Sequence, residues 1–232
     1  MTEIPAKGCL IAIEGIDGSG KGTQSRLLEA ALQAAGLPAR RIAFPRYDET
    51  FFGGEVRRFL NGDYGPLEAV PPQFAALLYA GDRFESRALL RELLAQGTVV
   101  VCDRYVASNS AHQGAKLPEA QRAAFLTWQE QLEFGVYGLP RPQLNVFLDM
   151  PPALSIALAR TRARGATQDM QERDGAYQEA VYGCYKQLVV GDPAQWLAIA
   201  CGQGEKLEAT PRSETDIAAD LAVGLRERLR LA

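Results

Sequence analysis

Histidine is nearly missing from this 232-residue chain, which holds only His112. That scarcity excludes metal sites built on several imidazoles. Cysteine is sparse too. Cys9, Cys102, Cys184 and Cys201 are widely spaced and form no CxxC pair, so neither a zinc ribbon nor a redox dithiol is written here. Three of the four sit in apolar runs and read as buried, reduced core residues. A cationic surface is lacking as well: the net charge is −3, and five of the 25 basic residues are lysines. This argues against a general nucleic-acid binder. No apolar run reaches the ~18 residues that suggest a membrane span. The opening MTEIPAK has neither the basic region nor the apolar core of a signal peptide, so the cytoplasm is the expected compartment.

What is present is a core-forming composition, 47% hydrophobic, suited to a single domain over residues 1–232. The runs CLIAIEG (9–15), RRIAF (40–44), TVVVCD (98–103), LNVFLD (144–149) and WLAIA (196–200) predict strands. Most are continuous rather than alternating, the pattern of a parallel sheet covered on both faces. Helical periodicity over about 20–35, 67–96, 118–136, 152–164, 170–190 and 214–230 separates them. The expected fold is α/β, a doubly wound five-stranded parallel sheet with ligands at the strand carboxyl ends.

The first chemistry lies in IAIEGIDGSGKGTQ, residues 11–24. A strand ends, a glycine-rich loop opens a helix, and Gly15, Gly20 and Lys21 keep the spacing of the phosphate-binding loop GxxxxGK followed by Ser or Thr. Glycines let backbone N–H groups converge on an anion, and the helix start adds its positive end. Gly15, Ile16, Asp17, Gly18, Ser19, Gly20, Lys21, Gly22 and Thr23 form the predicted cradle, with Lys21 bridging the β- and γ-phosphates. The position that should carry a hydroxyl is Gly22, and the hydroxyl arrives one residue late at Thr23. That removes one direct magnesium ligand. The metal would rely on the nucleotide, on water and on acids at the strand ends.

The spelling EGxDGxGK resembles that of thymidylate kinases, and the GKGTQ ending is similar to adenylate kinases, where glycine is usual at position 22. Three further stretches are similar to the thymidylate kinase family. CDRYVASNSAHQGAK (102–116) resembles its DRYxxSxxAYQG signature, FAALLYAGDRFES (74–86) its LFAxDR helix, and FPRYD (44–48) its FPR segment. ALARTRARGATQDMQERDGAYQEAVYGCYKQL (157–188) resembles its lid followed by E-x-D-x-x-Y.

The resemblance implies transfer of the ATP γ-phosphoryl group to dTMP with Mg²⁺, in a P-loop nucleoside monophosphate kinase that is typically homodimeric. The 67–96 helix would supply the dimer face. Arg104 would bind the acceptor phosphate, with Ser108 and Asn109 nearby and Asn109 beside the base. Tyr79 and Arg83, four apart on one helical face, would stack on the pyrimidine and donate to its carbonyl. Phe44 would pack the base and Tyr47 reach the phosphate. Arg160 and Arg164, with Arg162 between them, would lie in a lid at about 160–174 and neutralise the group in flight. Lys21, Arg104, Arg160, Arg164 and Asp17 make the expected catalytic set, and Asp17, Asp103 and Asp174 the candidate metal acids. His112 stands where tyrosine is usual; its shorter ring could hydrogen-bond a ribose 2′-hydroxyl. A kinase for another nucleoside monophosphate is one alternative. A nucleotide-gated switch is another, although guanine-reading NKxD is absent and a switch has no need of a second site.

Overall fold

The computed structural model describes residues 8–66, 69–162, 175–203 and 210–229, without the side chains of 159–162. Five strands, β1 (Leu10–Glu14), β2 (Ala39–Ala43), β3 (Val99–Asp103), β4 (Leu144–Asp149) and β5 (Trp196–Ala200), form one sheet in the order β2-β3-β1-β4-β5. Every pairing is parallel. Around it lie α1 (Lys21–Ala34), α2 (Phe51–Leu60), α3 (Pro72–Glu85), α4 (Arg87–Ala95), α5 (Val106–Gly114), α6 (Glu119–Glu130), α7 (Pro152–Arg162), α8 (Gly175–Gly191) and α9 (Glu214–Leu229). A short antiparallel ribbon, β6 (Gly202–Gln203) with β7 (Thr210–Pro211), precedes α9.

The continuous apolar strands have a direct cause. Leu10, Ala12, Val100 and Cys102 pack with Leu90 and Tyr105 in one cluster. Ile11, Ile13, Val99 and Val101 pack with Leu28 and Leu221 in another. Successive strand residues point to opposite faces, and both faces are covered by helices. All four cysteines are buried and free, with burial pushing the Cys9 thiol up to about 11 and Cys201 up to about 12.

Ile13 is level with Asp103 across the β1–β3 pair. The loop leaving β1 therefore opens beside the loop leaving β3, and this register positions the site.

The helices depart from expectation in four places. The single helix predicted over 67–96 is two, α3 and α4, meeting at Ser86. The 118–136 helix stays α only to Glu130 and continues as a π-helical segment, Gln131–Val136. Neither α2 nor α5 is anticipated by periodicity: α2 contains a Gly-Gly pair, and α5 is the short polar stretch VASNSAHQG. Low helix propensity is overridden by packing in both.

Candidate active site

The phosphate loop runs from the end of β1 to the start of α1. Gly20 caps α1 with φ 92°, and Gly18, at φ 77°, has so little room that a Cβ would lie 2.4 Å from Ser155 Oγ. The Ser155 hydroxyl donates to the Asp17 carbonyl, tying the loop to α7. Lys21 is folded into the loop, where its Nζ donates to the Ile16 carbonyl at 2.6 Å. Burial, then the charge of Arg104, push this ammonium down to about 8.

A side chain at Gly22 would face a charge pair. Its Cβ would sit 3.4 Å from Asp103 Oδ2 and 4.0 Å from Arg41 Nη2. Arg41, on β2, donates from Nη2 to Asp103 Oδ2 at 2.6 Å and from Nε to Ser25 Oγ at 2.7 Å. Thr23 lies about 100° further round α1, so its hydroxyl does not replace the missing one. Among the described residues no group of three or more His, Cys, Asp or Glu side chains could hold a metal. Asp17 has both oxygens engaged, Oδ1 by Arg104 and Oδ2 by Gln178 Nε2 at 3.3 Å. Asp103 keeps Oδ1 without a described partner. That donor set suits a magnesium ion carried mainly by nucleotide phosphates and water, with one carboxylate beside it. Arg160 falls near the end of α7, its side chain outside the described set; Arg164, Glu172 and Asp174 lie outside the described residues.

Beside the loop is a cavity of about 190 Å³. Asp17, Arg104 and His112 line it together with Phe44, Tyr47 and Tyr79, and so do Arg83, Ser108 and Asn109. All nine residues expected around the acceptor thus meet in one place. Arg104 holds φ 68°, the one positive value among described non-glycine residues, a strained geometry that costs roughly 1–3 kcal/mol and tends to mark functional positions. Its guanidinium pairs with Asp17. Burial alone would raise the Asp17 carboxyl, but the charge of Arg104, the largest opposing effect, holds it well below the usual range.

Arg83 and Asn109 are organised by a residue that sequence reasoning missed. Glu133, fully buried in the π-helical segment, accepts from Arg83 Nε at 2.6 Å and Nη2 at 2.8 Å, and from Asn109 Nδ2 at 3.1 Å. Asn109 Nδ2 also donates to the Ala76 carbonyl at 3.0 Å, and its Oδ1 has no partner among the described residues. Asp82, next to Arg83, accepts from the Arg46 backbone at 2.9 Å and from the Thr50 hydroxyl at 2.5 Å, holding the Phe44–Tyr47 loop to α3. Gln113 was also missed, although it stands inside the AYQG-like motif; it lines the cavity with its Oε1 buried and without a described partner. Ser108 is turned partly inward and donates to the buried Glu14 at 2.6 Å. His112 has both ring nitrogens near protein partners, Arg104 and Tyr177, so a ribose hydroxyl would have to displace one.

The family model described as thymidylate kinase matches residues 13–209. The chain belongs to the thymidylate kinase family. The thymidylate kinase of Mycobacterium tuberculosis is 36% identical over 198 residues, covering 82% of this chain and 90% of that protein. The human thymidylate kinase is 34% identical, covering 82% of this chain and 81% of its own. That of Deinococcus radiodurans is 32% identical over 96% of this chain and 98% of its own. The solved thymidylate kinase of Candida albicans superposes with TM-score 0.74 at 22% identity, over 97% of this chain and 94% of that one, a likeness of fold. With this family assigned, the doubly wound sheet and its P-loop are those of a nucleoside monophosphate kinase.

Proposed function

We infer that this chain transfers the γ-phosphoryl group of ATP to dTMP, giving ADP and dTDP. The observation that carries the reading is the polar edge shared by Arg83 and Asn109. Both bond the same Glu133 oxygen. They set the guanidinium N–H groups not taken by Glu133 and the Tyr105 carbonyl beside an amide oxygen that has no partner among the described residues. Thymine offers an N3–H donor flanked by carbonyl acceptors and meets that edge correctly. Cytosine offers an acceptor N3 beside an amino group and meets it wrongly at both points. Uracil shares the thymine edge, so uracil nucleotides are the nearest competitors.

The acceptor phosphate is already anionic, so no strong base is needed. The work is to hold two anions in line and offset their charge. Lys21 serves the donor side, Arg104 the acceptor side, and Arg160 and Arg164 the lid at about 160–174. Mg²⁺ on the nucleotide supplies further neutralisation of the phosphates when bound. Asp103 is the described carboxylate that would hold it, with Asp174 a further candidate, while Asp17 spends its charge on Arg104.

We place the protein in the cytoplasm as a homodimer. The two helices α3 and α4 would form the shared face, where Phe74 is exposed. Among the described residues no helix is long and apolar enough to cross a membrane.

The direct test is incubation with ATP, Mg²⁺ and dTMP, with products separated by chromatography. ADP and dTDP should appear one for one. Lys21→Met should leave the fold intact by circular dichroism and lower kcat by about 10² or more, because it removes a charge serving the transition state. A folded Lys21→Met variant with near-normal kcat would contradict the cradle.

A further inference from the structure

His112 sits in the last turn of α5 with each ring nitrogen near a different partner. Its Nε2 lies 3.1 Å from Arg104 Nη1 and its Nδ1 lies 3.3 Å from the Tyr177 hydroxyl. The same hydroxyl lies 3.0 Å from the His112 carbonyl oxygen. These contacts leave each proton one position. A guanidinium can only donate, so Nε2 must present its lone pair. The ring is then neutral with its proton on Nδ1, and that N–H donates to the Tyr177 oxygen. The phenol's own proton is left for the His112 carbonyl.

We propose that His112 is a positioning residue whose neutral Nε2 fixes one edge of the Arg104 guanidinium while Asp17 fixes the other, setting its plane before the acceptor phosphate arrives. The proposal rests on the reading of Arg104 as the acceptor-phosphate ligand. Asp17 takes Nη2 and His112 takes Nη1, from the phosphate loop and from α5 respectively. Among the described residues nothing else takes Arg104 Nε or the second N–H on each terminal nitrogen, and these are the groups a ligand would meet. The left-handed backbone of Arg104 means that its side chain leaves the chain in an unusual direction. Two anchors from separate elements are what hold such a geometry in one orientation.

The charges around the ring agree with a neutral acceptor. Burial, the largest effect, pushes His112 down to about 3; Arg104, Lys21 and Lys116 push the same way against the opposing pull of Asp17. Among the described residues the phenols of Tyr177 and Tyr185, both on α8, also face the ring, with ring centres 6.1 and 6.2 Å away. An imidazolium here would set its own N–H against the N–H of Arg104.

Because His112 is the only histidine, its tautomer can be read without assignment from a long-range ¹H–¹⁵N spectrum of the full chain at pH 7. The expected result is the Nδ1–H form, the minor tautomer of a free histidine side chain. An Nε2–H form or an imidazolium overturns the proposal. In kinetics, His112→Phe should raise KM for dTMP about 10-fold or more, as expected for losing a hydrogen bond to a charged group, with KM for ATP unmoved. Gln carries an acceptor that can reach the Nε2 position, so His112→Gln should recover most of that loss. If Arg104→Ala raises KM for dTMP while His112→Phe, folded by thermal melt, does not, the positioning role is wrong and the Arg104 reading stands. If Arg104→Ala leaves dTMP binding unmoved, the Arg104 reading fails and the positioning role with it.

Discussion

At the scale of single residues, Gly22 and Lys21 carry the sharpest consequences. The space where a hydroxyl would stand at residue 22 faces the Asp103–Arg41 pair. Asp103→Asn should therefore raise the Mg²⁺ concentration for half-maximal rate more than it raises KM for dTMP. Gly22→Ser, which places an oxygen toward the same carboxylate, should lower that concentration. Rate against Mg²⁺ measures both, and an unchanged metal dependence in Asp103→Asn would place the metal elsewhere. Lys21 gives a pH signature. Its ordinary value is 10.5, and burial with the nearby charge of Arg104 brings it down to about 8, so above pH 8 the neutral amine predominates in the free protein. A bound polyphosphate favours the ammonium, so ATP binding at pH 8.5 should take up protons. Calorimetry in buffers of different ionisation enthalpy reads this uptake, and Lys21→Met should abolish it. The linkage also has a sign for stability. A base with a lowered folded value disfavours the fold while charged, so the penalty is full below about 8 and is relieved as pH rises toward 10.5.

Residue legibility followed local chemistry. Lys21, Asp103 and Arg104 were legible because strand, loop and helix signals surround them. Arg41 was not, since nothing in RRIAF distinguishes the guanidinium that turns toward Asp103 from its neighbour Arg40.

At the scale of elements, the π-helical segment after α6 is the part that sequence pattern conceals. Its Glu133 binds α3 through Arg83 and α5 through Asn109, and it also accepts from Gln129 at 3.0 Å. Arg83 and Glu133 are both almost wholly buried, so removing one charge leaves the other uncompensated. Breaking such a pair costs about 3–5 kcal/mol. Glu133→Gln should lose about that much stability in urea unfolding and should weaken dTMP use, with KM for ATP little changed. Normal stability in this variant would mean that the pair is not the tie between these helices. A π-turn appears where a functional geometry needs one extra residue in the helix, and the stretch QLEFGV shows only an acid among apolar neighbours. The boundary between α3 and α4 is hidden for a similar reason. Apolar periodicity continues on both sides of Ser86, whereas the break lies in backbone geometry. The polar composition of α5 has a cause in its position, since Ser108, Asn109, His112 and Gln113 line the cavity rather than filling the core.

At the scale of the whole molecule, the five-stranded sheet was the most legible feature. A strand buried on both faces must be apolar throughout, and LIAIE, VVVCD and LNVFLD write that plainly. The ribbon of β6 and β7 leaves no such trace, because two-residue strands bury little. Strand order places the phosphate loop beside Arg104, and α3 and α5 bring Arg83 and Asn109 to the same cavity. This arrangement should phosphorylate a thymine nucleotide. An ADP-release assay with dTMP, dUMP, UMP, CMP, AMP and GMP under identical conditions tests it most directly. dTMP should be the best acceptor by kcat/KM, with uracil nucleotides behind it and cytosine and purine nucleotides far below. Equal rates with CMP or a purine nucleotide, or ADP release as fast without any acceptor, would contradict it.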